Sequence, residues 1–345
     1  MKVSVEGQRY SWPADIQKRT ATDNLPPDAV WKNAAAVKLL NHLSKLDLFE
    51  IRLEFDLHLG AVWCFWRHRQ GLSFAPRVLR DIRHVQRALQ DFHYDEPSDA
   101  AKVAKFLIWA SDVDGVFNLG GDLGYFETLI RQRDYVRLKA YALSCVDACY
   151  TNYHALHAPM IVGFLVAGDA LGGGMEAALS GDFIIAEQHS KFGLPEMLYG
   201  LFPGMGAYSF LMRRLGQARA EALISRGNLH GATELQEMGL IERVVPRGSG
   251  REEMKRHLAK TLRRFNATLA IYNARRRAFP ITFQEMADIV EEWVSVAMRL
   301  TDYDLRKMNK LVAAQGRLRG ANVQRGEAAD GRKLAKKALP ARRSE

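Results

Sequence analysis

Apolar and polar positions alternate most clearly at Ile51, Leu53, Phe55 and Leu57, whose polar neighbours give the two-residue period of a strand. Gly60 punctuates this run and the apolar segment AVWCFW follows, so residues 49–67 are predicted to form a β-hairpin. Before the hairpin, Asp28 follows Pro26-Pro27 and offers an N-cap for a helix reaching about Leu46. After it, Val78, Ile82, Val85 and Leu89 return to helical spacing over residues 75–92. From residue 104 to 187 strands and helices then interleave. AKFLIWA reads as a strand, the stretch from Asp122 to Tyr150 as one long amphipathic helix, and IVGFLVAG as a buried strand. GGGMEAALS opens a further helix and DFIIAE closes the series as a strand. Such interleaving predicts an α/β fold with helices packed on sheet faces. Beyond Pro246 the pattern is helical over about 251–265, 267–278 and 283–314, the last placing Ile289, Trp293, Val296 and Leu300 on one face. No fixed-period repeat and no Pro/Gly/Ser-rich linker divides the chain, so one α/β core with a helical C-terminal subdomain is expected.

Composition narrows the class. The chain has 345 residues, 48% of them hydrophobic and 26% charged, values typical of globular proteins. The N-terminus carries no apolar stretch of the signal-peptide kind. The most apolar run, Met160 to Gly168, is nine residues long, about half of what a membrane-spanning helix needs. A soluble, cytoplasmic protein is therefore expected. Cys64, Cys145 and Cys149 are too few for a disulfide framework, and Cys145 and Cys149, four apart, share a helical face as small buried hydrophobes. The ten histidines show no HxxxH spacing, and neither a metal nor another cofactor is expected. The net charge of +10 is uneven: residues 321–345 hold seven Lys/Arg against three Asp/Glu. This basic tail is poor in large apolar residues and is expected to be disordered. No nucleic-acid motif accompanies it, and no nucleic-acid partner is expected.

The chemistry concentrates between Val166 and Gly216. Gly172 to Gly174 sit between a buried strand and a helix, where backbone free of Cβ can approach a ligand. The first N–H groups of that helix have no internal partner, so they can serve an anion or a developing oxyanion. Glu176, three residues after Gly173, projects from the same side of the helix. A second glycine turn, FNLGGDL at Phe117 to Leu123, has the same strand-to-helix context and could aim a second N–H at one carbonyl oxygen. Glu196 follows Glu176 by 20 residues inside the apolar stretch FGLPEML. A carboxyl there is either an exposed bystander or a desolvated acid with a raised pKa.

Four segments together resemble one family, and they occur in its order. FNLGGD is similar to the FxxGxD turn of the crotonase (enoyl-CoA hydratase) superfamily, and ALGGGMEAALSGD resembles its GGGxE segment. FGLPEMLYGLFPGMG resembles its FGxPE…PGxGG segment, and AEALISRGNLHGATELQEMGLIERVVP its closing stretch. The resemblance covers roughly residues 100–250 and implies the crotonase, ClpP-like ββα-superhelix core, with homotrimers or hexamers as the expected assembly. It implies oxyanion-hole donors at Gly121 and Gly173, with Gly120 the alternative on the first turn. It implies Glu176 and Glu196 as the paired acid/base carboxylates, and Trp293, Met205 and Leu311 as lining for the acyl chain. FNLGGDL followed by a long helix, LPEMLYGLFPGMGAYSFL, and the C-terminal EEWVSVAMRL…LRKMNKLVAAQ make the chain, over residues 45–318, look most like the diffusible signal factor synthases within that superfamily. On this reading residues 1–44 form an extension with one helix, 45–250 the core, 251–318 the helical subdomain and 319–345 the tail.

That narrower likeness implies dehydration of a 3-hydroxyacyl thioester on acyl carrier protein, then thioester hydrolysis releasing a cis-2-unsaturated fatty-acid signal. Two departures from ordinary CoA hydratases accord with it. PGMGAYSFL stands where PGxGGTxRL is usual, and Leu123 and Gly124 follow the turn's aspartate where a basic residue often contacts CoA phosphate. An ordinary enoyl-CoA hydratase or isomerase acting on CoA thioesters is the first alternative. A non-catalytic crotonase-fold binding protein, docking on RNA or a signalling kinase, is the second. Family analogy makes Glu196 the base at Cα and Glu176 the acid at the hydroxyl. Helix polarity argues the reverse protonation, because the first turn favours ionised Glu176.

Overall fold

The structure is a computed structural model that describes residues 1–5, 8–11, 32–311 and 313. Among these, twelve strands form two sheets. The larger contains β1 (Lys2–Val5), β2 (Gln8–Ser11), β3 (Ile51–Asp56), β4 (Ala61–Trp66), β5 (Phe106–Ser111), β7 (Ile161–Val166), β9 (Phe183–Glu187) and β12 (Arg243–Val245), in the order β12-β9-β7-β5-β4-β3-β1-β2. β3 and β4 are the expected antiparallel hairpin, paired from Ile51 opposite Trp66 to Asp56 opposite Ala61. From β4 to β12 the neighbours run parallel, joined by helical crossovers.

Both faces of the sheet's middle are covered, so β4 and β7 are apolar throughout rather than on one side. Every residue of β4 and β7 is buried. Val62, Cys64, Trp66 and Trp109 face the main core, shared with Leu39, Val85 and Val146. Their neighbours Trp63, Phe65, Phe106 and Ile108 face a second core beneath Met254 and Leu258 of the Gly250–Leu262 helix. The polar positions of IRLEFDL do not escape burial: Glu54 is buried and bound by Arg52 and Arg251.

The smaller sheet positions the chemistry. It contains β6 (Gly115–Asn118), β8 (Gly168–Leu171), β10 (Lys191–Gly193) and β11 (Leu229–Gly231), in the order β11-β10-β8-β6, with β6, β8 and β10 parallel. None of its strands exceeds four residues.

Two helix expectations need correction. The helix expected from Asp122 to Tyr150 is two helices, Leu123–Arg131 and Tyr135–Tyr153. Arg133 takes φ 56° between them, and Asp134 caps the second helix by accepting the Arg137 N–H. The helix expected over 283–314 stops at Phe283–Ala297, and helical backbone resumes over 302–311, where Thr301 and Asp304 bond one another across its start. The helix Ala34–Ser44 is capped by Asn33, which accepts the Ala36 N–H; the proposed cap at Asp28 lies outside the described residues, as does the tail after 313. All three cysteines are free and buried. No helix among the described residues is long and apolar enough to cross a membrane.

Candidate active site

The parallel strands β6, β8 and β10 end on one side of the small sheet, and each delivers one part of the site. A ligand placed beyond the carboxyl ends of adjacent parallel strands meets several chain turns at once. After β6 comes the turn Leu119 to Gly121. Its first glycine has φ 93° and gives its N–H to Asn118 Oδ1 at 2.8 Å, so the turn offers Gly121, not Gly120, to a ligand. Loop 72–74 fixes the turn from outside: Leu119 N–H donates to the Leu72 carbonyl and Phe74 N–H to the Gly120 carbonyl.

After β8 comes Gly172, with φ 51°, whose N–H donates to the Gly193 carbonyl at 2.8 Å. Gly173 is the first residue of the Gly173–Leu179 helix, so its N–H has no partner within the helix. The two turns touch, since a Cβ on Gly120 would lie 3.0 Å from the Gly173 nitrogen.

One turn into that helix, Glu176 is buried, and its Oε1 accepts the N–H groups of Met205 (2.7 Å) and Ala207 (3.0 Å). Burial pushes its pKa up to about 7, while the two N–H bonds pull the other way by favouring the carboxylate. After β10 the chain makes the 3-10 turn Pro195–Tyr199, which carries Glu196. This residue is the desolvated acid of the two sequence alternatives: its Oε2 is buried with no hydrogen-bond partner among the described residues. Burial first, and the neighbouring Glu176 charge second, hold its pKa well above the carboxylate range. The pair therefore shares its last proton unequally, with Glu196 protonated and Glu176 ionised.

Gly121, Gly173, Glu176, Glu196, Met205 and Trp293 line one cavity of about 30 Å³, room for about one water molecule. Trp293 packs edge-on against Phe126 with centroids 5.2 Å apart, and its ring would lie 2.5 Å from a Cβ on Gly204. Leu311 is not part of this lining: it is half-buried against the main core, on the segment separated from Trp293 by the break at 298–301. The sequence reading missed Tyr141 and Tyr199, both buried in the cavity wall. Tyr141 hydroxyl donates to the Phe74 carbonyl and accepts the Asp122 N–H at 3.2 Å, bracing the first glycine turn. Tyr199 carried a usable signal, standing three residues after Glu196.

Comparisons with known proteins identify the family and the fold. The family profile described as Enoyl-CoA hydratase/isomerase matches residues 86–301. A "Probable enoyl-CoA hydratase" of Rhizobium meliloti (strain 1021) is 48% identical over 87 residues, 25% of this chain and 33% of that protein. "Probable enoyl-CoA hydratase echA8" of Mycobacterium bovis is 40% identical over 140 residues, 40% of this chain and 53% of that protein. The matched stretches thus span a third to about half the length of these curated relatives. The crystal structure of enoyl-CoA hydratase from Bacillus halodurans superposes with a TM-score of 0.63 at 18% identity, covering 76% of this chain and 100% of that one. With the profile extending over more than half of its residues, the chain belongs to the enoyl-CoA hydratase/isomerase family, the crotonase superfamily.

Proposed function

We propose that this protein adds water across the double bond of a 2-enoyl thioester, and by microscopic reversibility dehydrates 3-hydroxyacyl thioesters. The observation that carries the reading is the unequal environment of the two carboxyls. Glu176 Oε1 receives two backbone N–H bonds, whereas Glu196 Oε2 is buried without any. Hydration needs this resting state: an ionised group to take a proton from water and a protonated one to deliver a proton to Cα.

The thioester oxygen sits against the N–H groups of Gly121 and Gly173, which stabilise the negative charge it gains as water attacks; one such donor is worth about 10²–10³ in rate. Glu176 takes the water proton while the water oxygen bonds to C3. The C2–C3 π electrons move toward the thioester, and Glu196 protonates Cα. Glu196 ends ionised and Glu176 protonated, and proton exchange with solvent restores the starting state. Dehydration runs the same path backward, with Glu196 as base and Glu176 as acid. The role conflict between family analogy and helix polarity disappears, because each describes one direction of a single reaction.

A CoA thioester is the carrier this reading favours, since the relatives matched here are described as enoyl-CoA hydratases. Dehydration on acyl carrier protein followed by thioester hydrolysis is the second reading, and the net charge of +10 speaks for it by attracting an acidic partner. Arg131, Arg133 and Arg137, which follow the first glycine turn in the sequence, are engaged with Glu127 and Asp302, with the Met298 carbonyl, and with Asp134 respectively. Incubating the purified protein with matched 2-enoyl thioesters on CoA and on carrier protein separates the readings. The first gives 3-hydroxyacyl-CoA with its thioester intact, and free fatty acid from the carrier protein alone would replace it with the second.

A further inference from the structure

We infer that Tyr199 is a third catalytic group, donating its phenolic hydrogen to the oxygen that enters or leaves at C3 of the substrate. The inference rests on the hydratase reading above and adds a substrate-selecting residue to it. Glu196 and Tyr199 lie three apart on the same 3-10 turn, where residues i and i+3 eclipse, so both side chains leave the turn on one side. Tyr199 is 3% exposed and lines the cavity that Glu176 and Glu196 share. No hydrogen bond joins its hydroxyl to the described residues, and burial first, then the nearby Glu196 and Glu176 charges, raise its pKa. The missing partner belongs in the cavity, which has room for one water.

In the reaction Tyr199 keeps its proton. Its O–H holds the attacking water by one oxygen lone pair, leaving a hydrogen free for Glu176 and the second lone pair free to bond C3. A substrate without oxygen at C3 gains nothing from this hydroxyl, so Tyr199 selects for hydration and dehydration over proton transfer at Cα alone.

Tyr199→Phe tests the assignment with three readouts on the full-length protein. Hydration kcat of a 2-enoyl thioester should fall about ten- to a hundredfold, with KM little changed. Exchange of the Cα proton of a saturated acyl thioester into heavy water, followed by NMR, needs only Glu196 and the glycine donors and should stay within about twofold of wild type. Tm should hold, because the hydroxyl has no hydrogen bond to the described residues to lose. Equal loss of hydration and exchange, or a fall in Tm, would make Tyr199 a structural residue and overturn the inference. Unchanged hydration would overturn it as well. Wild-type protein that exchanges Cα protons but hydrates no enoyl thioester would remove the hydratase reading itself.

Discussion

The backbone of Gly172 runs directly against the carboxyl of Glu196: a Cβ on residue 172 would lie 2.5 Å from Glu196 Oε1. With φ at 51°, any L side chain is strained there as well. Gly172→Ala is expected to displace Glu196 and lower hydration turnover by at least about tenfold, since small misplacements of a reacting group are costly. Gly174→Ala should act differently. Its Cβ would lie 2.1 Å from the Asn118 carbonyl oxygen, backbone that cannot swing away, so lowered Tm is expected ahead of any specific kinetic defect. Thermal melts and steady-state kinetics on both variants distinguish the two effects.

Glu176→Gln and Glu196→Gln should each lose about 10²-fold or more in kcat, the scale of general acid–base contributions. Neither should be less stable than wild type at pH 8. Both carboxyls have folded-state pKa values above the ordinary 4.5, so the native state binds protons more tightly than the unfolded chain. Stability therefore falls as pH rises from about 4.5 through the folded values, and a neutral amide avoids that loss. Near-native turnover in either variant would remove that residue from the mechanism.

Hydration should show a bell-shaped dependence on pH. Its acid limb rises as Glu176 ionises, near pH 7, and its alkaline limb falls as Glu196, which burial and the Glu176 charge hold well above the carboxylate range, loses its proton. A carboxyl pair without this burial would place the acid limb near 4.5. Measuring kcat from pH 5 to pH 10 locates both limbs.

Much of the site is legible in the sequence because its parts are local. The glycine turns, Glu176 and Glu196 each stand within a few residues of the strand end that aims them, and six of the seven residues named from the sequence meet in one cavity. Leu311 and the two helix breaks are not legible. Arg133 turns the chain with φ 56° and no glycine, and the break at 298–301 has neither Gly nor Pro to mark it. The small sheet is hidden for another reason: strands of three or four residues are too short to show a two-residue period. Tyr141 reaches the cavity through the packing of the Tyr135–Tyr153 helix against loop 72–74, a long-range contact that no spacing announces.

Carrier preference has a separate signature. If an acidic carrier protein is steered to this basic chain, kcat/KM should fall with salt far more than kcat, as the Debye length shrinks from about 10 Å at 0.1 M to about 3 Å at 1 M. A neutral pantetheine thioester should show little change. Equal salt sensitivity for both substrates would remove the electrostatic reason for preferring a carrier protein over CoA.

The central claim is water addition by Glu176 and Glu196, and oxygen-labelled water tests it most directly. Incubated with a 2-enoyl-CoA, the protein should place the label on the C3 hydroxyl of 3-hydroxyacyl-CoA, with the thioester unbroken and no label in a carboxylate. Label found only in a released fatty-acid carboxylate, with none at C3, would contradict the account.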